Sequence, residues 1–278
     1  MKFSVCYAMS AVAIFSLTPL AFSSTYQTEI DLRYLEVDLA SPYEDSQFHL
    51  EGTRYFEPVD TSNLPFYEAA FLRKASSFSL SLIDNDSDFG DSDRNYKRRS
   101  AEINYYIPDS LFFVGASIHQ AKTDYRYYAY IPDYGNYEVN DESDWRSRWV
   151  GRLGIAPVDG LLVWSEFTEG VKVSDYWNLN AKYVKPLQNN KAIGVESTFE
   201  TSSSNYWRTN LIADYYFSQS LSIGAGFSYY ESDNDYSEDA RSHIVRSRYF
   251  LTEKISLNLS YTDGEDANAW SVGGSIRF

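Results

Sequence analysis

Cysteine is all but absent from this chain. The single Cys6 falls within the first 23 residues, which read as a secretory leader. Lys2 is followed by an apolar run from Val5 to Leu20 and then by Ala21-Phe22-Ser23, an A-x-S pattern that places the cut after Ser23. On this reading residues 24–278 form an exported protein with no disulfide and no thiolate chemistry, which excludes a small stapled scaffold. Basic residues are in the minority. Lys+Arg number 24 against 39 Asp+Glu, for a net charge of −15 that loses one more positive unit with Lys2. With a pI of about 4.6, the chain lacks the basic footprint that nucleic-acid phosphates require. Long hydrophobic runs are missing too. Beyond the leader no segment approaches the roughly 20 apolar residues of a membrane helix.

Aromatic residues, by contrast, are abundant. Tyr, Phe and Trp make up 17% of the chain, yet mean hydropathy is −0.42. Apolar residues dealt out one at a time reconcile the two values. In Trp270 to Phe278 one face carries Trp270, Val272, Gly274, Ile276 and Phe278, and the other Ser271, Gly273, Ser275 and Arg277. Ile255, Leu257, Leu259 and Tyr261 alternate with Ser256, Asn258 and Ser260, and Leu221 to Tyr229 repeats the pattern. Period two with one apolar and one polar face means strands between two different environments.

The polar faces are rich in Gly, Ser, Asn and Arg, and the apolar faces end in Trp, Tyr or Phe, where a bilayer places its interfacial girdle. Connections alternate between short and long. Pro108-Asp109-Ser110, Ala156 to Gly160, Lys185 to Lys191, Ser218-Gln219-Ser220 and Thr252-Glu253-Lys254 are tight. Between them lie Asp84 to Asn95, Lys122 to Asp144, Thr168 to Asp175, Glu231 to Ala240 and Asp263 to Asn268, long and mostly acidic. Short turns on one rim and longer loops on the other predict an all-β transmembrane antiparallel barrel in the outer membrane of a Gram-negative bacterium, without a separate domain. Counting runs predicts fourteen strands, with twelve or sixteen as alternatives. They start near Tyr26, Gln47, Tyr67, Tyr96, Leu111, Trp145 and Leu161, then near Tyr176, Ala192, Tyr206, Leu221, Arg241, Ile255 and Ala269. The switch from Ile30, Leu32 and Tyr34 to Leu35, Val37 and Leu39 calls for a bulge.

One stretch is distinctive beyond its alternation. Gly52 to Ser76 contains Tyr55-Phe56-x-Pro58-Val59, then Pro65-x-x-Glu68-Ala69-Ala70-Phe71-Leu72-x-Lys74-x-Ser76. It resembles the N-terminal hallmark of the general bacterial porin family of Gram-negative outer membranes. The terminal strand closing on Phe278 is similar to the signal by which outer-membrane barrels engage the insertion machinery. The resemblance implies a passive pore for ions and small hydrophilic solutes, held among bilayer lipids and lipopolysaccharide, with no cofactor and no catalytic residues to transfer. It also implies that the third long loop, Lys122 to Asp144, folds inward to narrow the pore, bringing the acids Glu138, Asp141 and Glu142 to a constriction.

Charged residues on the polar faces are the candidate pore lining. Arg146, Arg148 and Arg152 share one face of a strand whose other face is Trp145, Trp149 and Leu153. An arginine on the lipid side costs about 2–4 kcal/mol at midplane, so these belong to the lumen. Lys182, Arg208, Arg246 and Arg248 fall on lumenal faces too, as do Glu196, Glu200, Asp214 and His119. Two arrangements remain open: a positive track for acidic sugars or oligosaccharides, or wall charges paired across the lumen. The acidic rim favours mild cation selectivity, and the arginine track opposes it. Asp84-Asn85-Asp86-Ser87-Asp88-Phe89-Gly90 is no EF-hand loop, because Phe89 and Asn95 stand where Gly and Glu are required, so no metal site is assigned. An enzyme is disfavoured. The residues two after His49, His119 and His243 are Glu51, Ala121 and Val245, so no His-x-Ser lipolytic pattern exists. A closed structural barrel is the remaining alternative, and oligomeric state is not encoded legibly, since lipid-facing and subunit-facing residues look alike.

Overall fold

The structure, a computed structural model, describes residues 24–39, 44–90, 92–131, 135–203, 206–232, 239–265 and 267–278. The leader with its cleavage site at Ser23 lies outside the described residues, as do the rim acids Asp91, Asp233, Asp235, Glu238 and Asp266. β1 (Thr25–Leu39), β2 (Glu44–Asp60), β3 (Ser77–Asp88) and β4 (Ser92–Tyr106) are successive neighbours. β5 (Phe112–Ile131), β6 (Gly135–Glu142), β7 (Arg146–Ile155) and β8 (Leu161–Thr168) follow. Then come β9 (Tyr176–Pro186), β10 (Ala192–Ser202), β11 (Tyr206–Tyr216) and β12 (Leu221–Ser232). β13 (Ala240–Thr252), β14 (Ile255–Gly264) and β15 (Ala267–Arg277) complete the order.

All fifteen strands belong to one antiparallel sheet that closes on itself, through β1 with β15 at one seam and β4 with β5 at the other. β6 pairs with the far end of β5 and branches off the ring, which therefore has fourteen strands. Alternation sorts the side chains between two environments. Leu32, Leu80, Val272 and Ile276 point outward and are exposed, as is Leu259 at 58%. Aromatic pairs bound this apolar belt. Tyr34–Trp270 (5.6 Å), Trp177–Phe199 (5.4 Å) and Trp207–Tyr229 (4.9 Å) mark one rim, and Phe56–Tyr105 (6.5 Å) and Tyr215–Phe217 (4.8 Å) the other.

Three details depart from the sequence reading. The third strand begins at Ser77 rather than near Tyr67; Phe66–Glu68 is instead a 3-10 turn and Ala69–Leu72 a single helical turn. No bulge separates Tyr34 from Leu35, because β1 pairs with β15 in unbroken register from Glu29↔Arg277 to Leu39↔Ala267. The strand outlasts the bilayer: above Tyr34 both faces meet water, so Glu36 can point outward and Leu35 inward without a shift. The register irregularity lies lower, between Tyr26 and Thr28. Finally, most of the segment Asp84 to Asn95 is strand rather than loop. It is the paired top of β3 and β4, with Asp84↔Lys97 and Asp86↔Asn95 still in register.

The two faces predict opposite tolerance to charge. Leu259→Arg, toward lipid, is expected to lower the unfolding free energy in lipid vesicles by about 2–4 kcal/mol. Ser260→Arg, one residue along and toward the lumen, is expected to change it by under about 1 kcal/mol; denaturant titration of the refolded barrel measures both.

Candidate pore and the constriction across it

The connection from Thr61 to Ser76 does not turn back outside the barrel; it crosses the barrel's turn-side mouth. Its residues reach strands that stand opposite β2 and β3 in the ring. The Phe66 amide donates to the Gln219 carbonyl in the β11–β12 turn (2.8 Å), and the Gln219 amide returns a bond to the Leu64 carbonyl (3.1 Å). Arg277 donates to the Phe66 carbonyl (2.7 Å) while its guanidinium lies 4.6 Å from the Phe250 ring centroid. The helical turn ends with Phe71 packed against the buried cluster of Phe113, Ala156 and Leu162. A four-residue helix has no stability of its own. It persists because the wall holds it on several sides.

The strongest hold is electrostatic. Glu68, at 1% exposure, receives the Lys182 ammonium at 2.7 Å, the Arg248 guanidinium at 3.5 Å and the Tyr216 hydroxyl at 2.5 Å. Arg248 also lies over the Tyr67 ring, 3.9 Å from its centroid. Behind these, Arg246 forms a fork on Asp214 and reaches Glu196 at 3.3 Å, and Lys182 bridges to Glu196 at 3.3 Å. Three acids (Glu68, Glu196, Asp214) and three bases (Lys182, Arg246, Arg248) thus form one balanced cluster. Gly224 is required beside it, because a Cβ there would run into the Asp214 carboxylate. Above the cluster opens a lumenal cavity of about 730 Å³, lined in part by Tyr67, Asn210 and Arg33.

A second region of the inner wall is different in kind. Along one hydrogen-bonding row the inward residues are Arg33↔His49↔Ile83↔Arg98↔Ala121↔Arg146, and the next row ends in Ser100↔His119↔Arg148. Among the described residues Arg33, Arg98, Arg146 and Arg148 have no ion-pair partner. Arg152 differs from its neighbours, since it is held by Glu102 and by Glu166 (2.7 Å).

Each candidate lining residue of the sequence reading lies on the inner face, but in distinct surroundings. Lys182, Glu196, Asp214, Arg246 and Arg248 come together in the cluster. Arg146 and Arg148 stand apart from it. Glu200 sits high on β10, and Arg208 lies 5.5 Å from the Tyr230 ring centroid. His119 shares one hydrogen bond with Ser117 (2.8 Å), and Ser117 is buried at 2%. The described parts of the segment Lys122 to Asp144 pair as β5 and β6, with Tyr125↔Asp141 and Asp124↔Glu142 opposite each other. Asp141 and Glu142 are exposed there; the Glu138 side chain lies outside the described residues. Among the described residues, the contacts that cross the barrel come from the opposite rim, through Glu68. Sequence reasoning passed over that residue even though its motif, Glu68-Ala-Ala-Phe-Leu, is far too apolar for a turn in water.

The model of the family described as "putative general bacterial porin" matches residues 1–141. The chain belongs to that family. No curated protein matches it. Among solved structures the porin is similar to the outer membrane protein Omp33 of Acinetobacter baumannii, at 21% identity and a TM-score of 0.66, covering 92% of this chain and 99% of that one. It also resembles a FadL homologue of Pseudomonas aeruginosa (10% identity, TM-score 0.58, 92% and 91% covered). A third likeness is the TodX monoaromatic hydrocarbon channel, as its deltaS2 mutant (10%, 0.53, 91% and 90%). The porin therefore sits in the outer membrane of a Gram-negative cell, lipid around it and small solutes within.

Removing Glu68 should release the crossing connection, since breaking a buried ion cluster on one side costs about 3–5 kcal/mol. Glu68→Ala is expected to raise single-channel conductance in planar bilayers while the barrel keeps its heat-resistant mobility on gels. Unchanged conductance in a folded Glu68→Ala barrel would show that the connection does not limit the flow.

Proposed function

We propose that this porin is a passive diffusion channel for small hydrophilic solutes with a preference for anions, carboxylated sugars among them. The observation that carries the reading is the pair of inner rows ending in Arg146 and Arg148, where Arg33 and Arg98 add two further bases without an acidic partner. The paired cluster around Glu68 contributes little net charge, so these four bases, which outnumber the acids Asp31 and Glu51 on the same inner face, set the field at mid-depth. The acidic rim works against them: Glu36, Glu44, Asp86 and Asp88 surround a cavity at the mouth together with Asp93 and Glu142. Rim charges face open solvent, however, where a Debye length of about 8 Å at physiological salt confines their influence. The wall bases act in a narrower space beside low-dielectric protein and are screened less.

Reversal potentials in a KCl gradient test this reading. Anion-selective current is expected from the parent, and Arg146→Ala/Arg148→Ala is expected to move the potential toward the cation side. Cation selectivity of the parent at physiological salt would overturn the preference and return control to the rim. Absence of stepwise conductance from a folded barrel would overturn the channel itself in favour of a closed one.

A further inference from the structure

Arg99 is in the wrong place for a pore residue. It pairs in register with Leu82 on β3 and Gln120 on β5, and both partners belong to the outward face. Below it on β4 the outward residues are Ala101, Ile103 and Tyr105, and Tyr105 meets Phe56 in the lower aromatic girdle. Six residues of tilted strand raise Arg99 about 15 Å above that girdle, into the upper half of an apolar belt about 25 Å tall. An arginine there is costly unless something compensates its charge. The protein orients the guanidinium and does not neutralise it. Nε donates to Gln120 (2.8 Å), Gln120 donates to Ser147 (3.0 Å), and the Trp145 ring supports the guanidinium at 4.4 Å. Two positions up the same face is Lys97, without an ion pair among the described residues. Nearby on this face are Lys122, neutralised by Asp124 at 2.6 Å, and Asp84, opposite Lys97 in register and bonded to Asn95 (3.0 Å). Higher up are Asp86 and the Asp93–Arg126 pair, and lower down Arg54 lines the wall beside the furrow and donates to Thr28 (2.8 Å).

Directly beneath Arg99 the outer wall is hollow. A furrow of about 650 Å³ runs between Leu50, Phe78, Leu80, Leu82 and Ile118, and its floor is made by the small residues Gly52 and Ala101. We propose that this furrow and the two cations above it, Arg99 and Lys97, form a binding site for lipopolysaccharide. One acyl chain of its lipid A lies in the furrow, and a lipid A phosphate meets Arg99 and Lys97. Three features select this occupant. The two cations call for an anionic headgroup. The apolar floor beneath them calls for a hydrocarbon chain attached to that headgroup. The height on the wall puts both in the outer leaflet, where lipid A is the phosphorylated amphiphile.

Native mass spectrometry of the refolded barrel in detergent, titrated with purified lipid A, tests the site. Wild-type protein is expected to retain a lipid A adduct that falls at least about tenfold in Arg99→Gln/Lys97→Gln. Leu80→Trp, which fills the furrow and keeps both cations, is expected to lose the adduct as well. Chemically dephosphorylated lipid A, added to unmutated protein, is expected to bind as poorly as lipid A binds the double variant. Since Arg99 is outside the lumen, single-channel conductance should be the same in all three proteins, and gel mobility checks folding. Equal adducts on parent and double variant would overturn the proposal, and so would equal retention of phosphatidylethanolamine, which would make the furrow an unspecific acyl surface. Dimers captured through a cysteine placed at Leu80 in native membranes would assign the furrow to a second copy of the chain and overturn it too.

Discussion

Everything in this porin depends on the rule that a backbone group in hydrocarbon must find its hydrogen-bond partner within the protein. A sheet satisfies the rule only by having no edge. Here that means β1 on β15 and β4 on β5. The final residue takes part, since the Phe278 amide donates to the Thr28 carbonyl (2.9 Å) and its carbonyl accepts from Gln27 (2.6 Å). Closure then decides the rest. With one face given to lipid, all polar business of the protein is forced onto every second residue, and the inner surface becomes a single continuous field of charges.

Those inner charges divide the wall in two. On β9, β10, β11 and β13, together with Glu68, acids and bases are matched, and they grip a segment that has no packing strength of its own. On β1, β4 and β7 the bases Arg33, Arg98, Arg146 and Arg148 have no ion-pair partner among the described residues. The two roles need the same residue types, which is why Arg152, with two glutamates beside it, has more in common with Arg246 than with Arg148, four positions away on its own strand.

Much of this was legible in the sequence, because a two-faced strand writes its environment into every second letter. Strand number, facing and most strand starts follow from that rule. What was not legible has specific causes. Tyr67, Ala69 and Phe71 alternate with Glu68 and Ala70 as a strand would, and a single helical turn is too short to display a period of 3.6. The long acidic segments read as loops because composition shows solvent exposure, and a hairpin standing above the bilayer is as exposed as any loop. Pairing was invisible for a simpler reason. Asp214 and Arg246 are 32 residues apart, and only the register of two intervening turns brings them together. Facing could be read, but partnership could not.

The crossing connection has a consequence for how the chain reaches its final state. Glu68 meets Tyr216 across a sequence separation of 148 residues, and Phe66 meets Arg277 across 211. Contacts of such high order bear a large loop-closure entropy until the intervening chain is already arranged. The intervening chain here is almost the entire barrel. The crossing segment is synthesised early, yet its partners Tyr216 and Arg277 come from the last third of the chain, so its seat exists only once those late strands are made.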